Sequence, residues 1–171
     1  MKNIELKNIK VHLGLSEETY AYTAMLYVDG KKAVEISNQG HGGCDRQLPV
    51  NGQSVSQIND WCKATMPKWS LSLAQAGGLV SATEDEFETD LEMWCHLQVG
   101  EHLTLRDMKR VMRTKALYIK NDEGQLMEMG FKGARKYDPR LADLVRQQNP
   151  DAIVLNELPI AKALELYKAH G

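Results

Sequence analysis

The stretch Thr19-Tyr-Ala-Tyr-Thr-Ala-Met-Leu-Tyr-Val28, followed by Asp29-Gly30 and then Lys31-Lys-Ala-Val-Glu-Ile-Ser37, decides the fold class. The first run is rich in aromatic and β-branched residues, which suit a pleated, half-buried surface. Asp-Gly between two such runs fits a two-residue type I′ turn, because both central positions need positive φ. A β-hairpin is therefore expected. Strict closure over two residues puts Tyr22, Leu26 and Val28 on one face and Met25, Val34 and Ile36 on the other. Upstream, residues 3–13 alternate at short range and read as a further strand, with a turn from Gly14 to Glu18.

Downstream the period changes. Ser54 is placed to cap a helix reaching about Thr65, with Val55, Ile58, Trp61 and Cys62 at helical spacing. Residues 68–83 show no clear period, and Gly77-Gly78 marks a break. Thr83-Glu84-Asp85-Glu86 has the form of a capping box and predicts a helix from Glu84 that sends Phe87, Leu91, Trp94 and Cys95 to the core. Gly100 is expected to stop it, and Thr104 to cap a second helix from Leu105 to about Lys115. Residues 116–120 and 126–131 flank a polar loop and predict a second hairpin. A helix from Pro139 to about Gln148 follows. Then comes an apolar interior strand at 152–155, open to parallel pairing. A last helix, Leu158 to His170, carries an Ile160, Leu164 and Tyr167 stripe. Hairpins with helices segregated between them give an α+β fold, an antiparallel sheet of about five to six strands packed with about four to five helices. The length fits one domain over 1–171, built from a three-stranded unit (3–45), a helical segment (54–115) and a ββαβα segment (116–170).

The composition, 43% hydrophobic and 26% charged, is that of an ordinary globular chain. Cys44, Cys62 and Cys95 are an odd number without close spacing, which suits a reducing compartment. With no apolar run of membrane-spanning length and no signal-peptide pattern at the start, a cytoplasmic location away from membranes is expected. Aromatic content of 6% argues against a large base-stacking surface. Charge is segregated: residues 1–101 carry 8 basic and 14 acidic side chains, whereas residues 106–146 carry 11 and 6.

Candidate chemistry centres on Gly40-His41-Gly42-Gly43-Cys44-Asp45-Arg46. The glycines permit tight bending and close backbone approach, and an imidazole, a thiol and a carboxylate stand among them. His41 and Cys44 have the spacing of one ligand pair, but zinc needs three or four ligands, and Cys62 and Cys95 lie on apolar helix faces. No metal and no cofactor is expected. A thiol enzyme normally gathers its partners from distant parts of the chain, so three groups within one loop weigh against catalysis. A nucleotide or small-molecule site on backbone N–H groups, helped by Arg46, is an alternative, although no Walker pattern is present. A plain glycine turn with Cys44 tucked inward is the simplest reading. Two charged faces are candidates for partner binding: Glu84, Glu86 and Glu88 on the acidic helix, and Arg106, Lys109, Arg110 and Arg113 on the basic one. The basic segment 106–146, with Lys132, Arg135, Lys136 and Arg140, is also a candidate for nucleic acid, less favoured because the chain carries a net charge of −2.

The core Tyr22-x-x-x-Leu26-Tyr27-Val28-Asp29-Gly30-Lys31-Lys32, followed by Asn38-Gln-Gly-His-Gly-Gly-Cys44, resembles the opening of small accessory proteins carried by bacteriophages, prophages and mobile elements. Ile153-Val-Leu-Asn-Glu157 is similar to their C-terminal portion. The resemblance implies a cytosolic accessory protein and supplies no catalytic residues. A non-catalytic protein that binds and modulates a host protein or complex is the expectation.

Overall fold

The computed structural model describes residues 1–70, 86–120 and 124–171. The fold is α+β, with its strands in two principal antiparallel sheets. The chain divides into two compact units, Met1–Gly100 and Glu101–Gly171.

In the first unit, β1 (Ile4–Val11), β2 (Ala21–Val28), β3 (Lys31–Gln39) and β4 (Arg46–Pro49) form a sheet in chain order. Asp29 (φ 47°) and Gly30 (φ 80°) close the β2–β3 turn with both central residues left-handed, as the Asp-Gly pair predicts. The facing differs from the strict register. Val28 pairs with Lys31 and Tyr27 with Lys32, but Leu26 pairs with Val34. Ala33 is thus the extra residue of a bulge, and Val34 and Ile36 lie opposite Leu26 and Ala24. All four, with Tyr22, are buried. The bulge lets both strands commit their apolar residues to one face. β4, which the sequence pattern does not predict, pairs with β3 from Ser37–Arg46 to Val34–Pro49; its proline is tolerated on an edge strand.

Helix α1 (Val55–Thr65) starts as expected, with the Ser54 hydroxyl accepting the Gln57 N–H. Its Ile58 and Cys62 are buried. The next expectation is overturned. Glu86–Phe87 is a strand, β6, paired with β5 (Trp69–Ser70), and the Phe87 side chain is exposed against the Trp69 ring. Helix α2 (Leu91–Met112) begins later, where Asp90 accepts the Met93 N–H at 2.8 Å. The Leu91 N–H is taken by the Asn59 side chain at 3.1 Å, so α1 helps set where α2 begins. Thr83, Glu84, Asp85 and Gly77-Gly78 lie outside the described residues. Gly100 does not end α2, and Thr104 lies inside it.

The second unit is organised around β7 (Ala116–Lys120), the centre of a β8-β7-β9 sheet with β8 (Gln125–Met129) and β9 (Ile153–Val154). Residues 116–119 of β7 are all buried because both its faces are covered. Ala116 and Tyr118 meet Leu141, Ala142 and Val145 of α3 (Arg140–Gln148). Leu117 and Ile119 meet Met108, Leu155 and Ala163, the last on α4 (Ile160–His170). Two expectations are corrected here. β9 runs antiparallel to β7 at the sheet edge, with Ile153 exposed. On α4, Leu164 and Tyr167 pack against the core as expected, but its fully buried residue is Ala163 and Ile160 faces solvent. Among the described residues no helix is long and apolar enough to cross a membrane.

Candidate functional site

The glycine-rich loop leaves β3 and returns as β4, and its polar groups are engaged with its own surroundings. Gly40 (φ 89°) donates its N–H to the Asn38 side-chain oxygen at 2.8 Å. Its carbonyl accepts N–H groups from Glu17, Glu18 and Thr19. The Gly42 N–H reaches the Thr19 hydroxyl at 3.3 Å. The Asn38 amide also donates to the Gly43 carbonyl at 2.8 Å and to Asp45 at 3.0 Å. Asp45 accepts the buried Tyr22 hydroxyl as well, and donates its own N–H to the Glu92 carboxylate at 3.0 Å. The loop is thus tied to the 16–19 turn, to β2 and to the first turn of α2.

This geometry sorts the candidate side chains. His41 is exposed and its Nδ1 lies 2.9 Å from Glu17 Oε2. Cys44 is exposed, not tucked inward. Among the described residues no histidine or acid makes a hydrogen bond or ion pair with Cys44, and no group of three potential ligands could hold a metal. Arg46 opens β4 opposite Ser37. The N–H groups of Gly40, Gly42 and Asp45 already have acceptors. The carboxylates of Glu17, Asp45 and Glu92 bond into the same loop, and that of Glu18 lies where a Cβ on Gly42 would project. Such a field opposes an incoming phosphate.

Comparison with family models, curated proteins and solved structures finds no match to this chain.

Burial, together with the hydrogen bond to Asp45, pushes the Tyr22 phenol far above its usual range, so it stays a donor. Burial also raises the Cys95 thiol, helped by the nearby charge of Asp45, and raises Cys62 to about 11. Both remain neutral thiols that pack as small apolar groups.

The two described acidic candidates, Glu86 and Glu88, do not lie on a helix. Glu84 lies outside the described residues, Glu86 pairs with Lys68 at 3.7 Å, and Glu88 is exposed beyond β6. Asp90 and Glu92 serve α2 and the glycine loop, as above. The basic candidates fare differently. Arg106 and Arg110 share Asp107, at 3.3 and 3.8 Å, whereas Lys109 and Arg113 are exposed with no ion pair among the described residues. The exposed Lys132, Arg135 and Lys136, in the connection between β8 and α3, likewise make no ion pair among the described residues, although the charge of Lys136 acts weakly on Asp138. Six of the eight described acids of this unit already have cations: Asp107 as above, Glu101 with Lys168, Glu128 with Lys115, Asp138 with Arg140, Glu157 with Arg146, and Glu165 with Lys162. The sequence did not foretell which cations would be left over, because that depends on which carboxylates fold beside them.

Proposed function

We propose that this chain is a non-catalytic accessory protein that works by occupying an acidic face of a host protein or complex. One observation supports the reading: Lys109, Arg113, Lys132, Arg135 and Lys136 stand exposed with no ion pair among the described residues, where six of the unit's eight described acids are taken by other cations. Unpaired charge of one sign gives a partner both steering and register. The resemblance to phage and prophage accessory proteins supplies the host setting. Against nucleic acid as the main partner stands the net charge of −2, since readers of nucleic acid are usually basic overall or carry a long uncompensated stripe.

The test is capture from a bacterial lysate treated with nuclease, using the whole chain and a variant with Lys109, Arg113, Lys132, Arg135 and Lys136 all changed to Glu. The expected result is a host protein retained by the native chain, released as salt is raised, and lost by the variant. Capture that vanishes with nuclease, or that the charge reversal leaves intact, overturns the proposal.

A further inference from the structure

The connection Phe131–Arg140 concentrates three of the cations that have no ion pair among the described residues beside an exposed aromatic ring. Phe131 is 45% exposed. Lys132, Arg135 and Lys136 follow it, all exposed. The connection is nevertheless anchored. The Ala134 N–H donates to the Phe131 carbonyl at 3.2 Å. Asp138 accepts both the backbone N–H and the guanidinium of Arg140, and that guanidinium lies 6.0 Å from the Phe131 ring centre. Asp138, the carboxylate closest in sequence to these cations, is therefore already engaged by Arg140, and the charge of Lys136 acts on it only more weakly. Residues 131–134 line two hollows, one shared with residues 135–140 and the other with Thr114, Lys115 and Glu128. Lys115 and Glu128 pair with each other, so the second hollow offers no free acid either.

Resting on the proposed function, we infer that this connection is the recognition element, and that it takes an acidic protein segment. An apolar side chain of the partner seats beside Phe131, and its carboxylates meet Lys132, Arg135 and Lys136. An aromatic anchor flanked by charges is the usual make-up of an energetic centre in a protein interface. Arg135 adds a planar fork that suits a carboxylate. A nucleic-acid strand fits less well: such binding uses a cationic groove that tracks the backbone together with successive stacking rings, and three cations around one ring supply neither.

Fluorescence anisotropy tests this with two probes, a labelled peptide alternating glutamate and leucine, and a labelled random-sequence single-stranded oligodeoxynucleotide. Three forms of the full chain are compared: native, Lys132→Glu/Arg135→Glu/Lys136→Glu, and Phe131→Ala. The substituted side chains are exposed, and circular dichroism checks that each variant keeps its fold. The native chain should bind the peptide more tightly than the oligonucleotide. The triple reversal should weaken peptide binding at least about tenfold and flatten its salt dependence. Phe131→Ala should weaken it by roughly three- to tenfold and keep the salt dependence. Equal peptide binding by native and triple-reversed chains, no peptide binding, or tighter binding of the oligonucleotide overturns the inference. Applied to the lysate capture, the same triple variant separates the two ideas. Capture retained by it but lost on reversing Lys109 and Arg113 leaves the proposed function standing and removes this connection as the contact. No capture by the native chain removes both.

Discussion

A Cβ on Gly40 would lie 2.3 Å from the Leu15 carbonyl oxygen, and the residue's φ of 89° suits glycine alone. Gly43, three positions on, has open space around it and an ordinary φ. The sequence shows both as glycines in one run and cannot rank them, because the obstacle is the backbone of a turn distant in the chain. Gly40→Ala should cost at least about 2 kcal/mol in urea unfolding, from strain and displacement of the 15–19 turn. Gly43→Ala should change stability by less than about 0.5 kcal/mol. Equal effects would mean that the loop does not brace that turn. Ala33 teaches a similar lesson. Its bulge reverses the facing of Val34 and Ile36, and nothing in local propensity announces it. What selects it is the burial of both apolar sets on one side of the sheet.

Among the elements, α2 departs most from its sequence signals. Its stripe Leu91, Trp94, Cys95, Val99 and Leu103 keeps helical spacing straight through Gly100. A glycine in mid-helix costs about 1 kcal/mol relative to alanine, less than the burial of one large side chain on the stripe contributes. Packing therefore overrides the stop signal, and Thr104 finds itself in the helix interior. The far end of α2 is set by Asn156, in the turn after β9. Its amide donates to the carbonyls of Met112 and Lys115, at 3.3 and 3.0 Å, and its oxygen accepts the Leu117 N–H at 2.8 Å. One side chain thus satisfies the helix exit and the first turn into β7. Asn156→Ala should lower stability by about 2–3 kcal/mol, since it strands a buried N–H together with two carbonyls. Asn156→Asp should recover only part of the loss, because a carboxylate accepts from Leu117 but cannot donate to the carbonyls. Thermal unfolding of the three proteins decides it, and an alanine variant as stable as the native chain would refute this role.

At the scale of the whole molecule the chemistry is uneven in charge and in thiol exposure. The unit Met1–Gly100 carries 8 basic and 13 acidic side chains, and Glu101–Gly171 carries 13 and 10. Of the three thiols, Cys44 alone is exposed; Cys62 and Cys95 are buried and held neutral. Native labelling with a maleimide should modify one cysteine per chain quickly, and all three only after denaturation. Mass spectrometry should place the first label on Cys44, and rapid labelling of Cys95 would show that the α2 face opens. The α+β class, the Asp29-Gly30 hairpin, the Ser54 cap and the excess of charge between residues 106 and 146 were legible in the sequence, because each depends on neighbours within a turn or a strand pair. The bulge at Ala33, the late start and unbroken run of α2, the pairing of Tyr22 with Asp45, and which cations remain without a carboxylate were decided only by the tertiary structure. Each of these depends on groups brought together from distant positions, where burying apolar surface and satisfying polar atoms outweighs local preference.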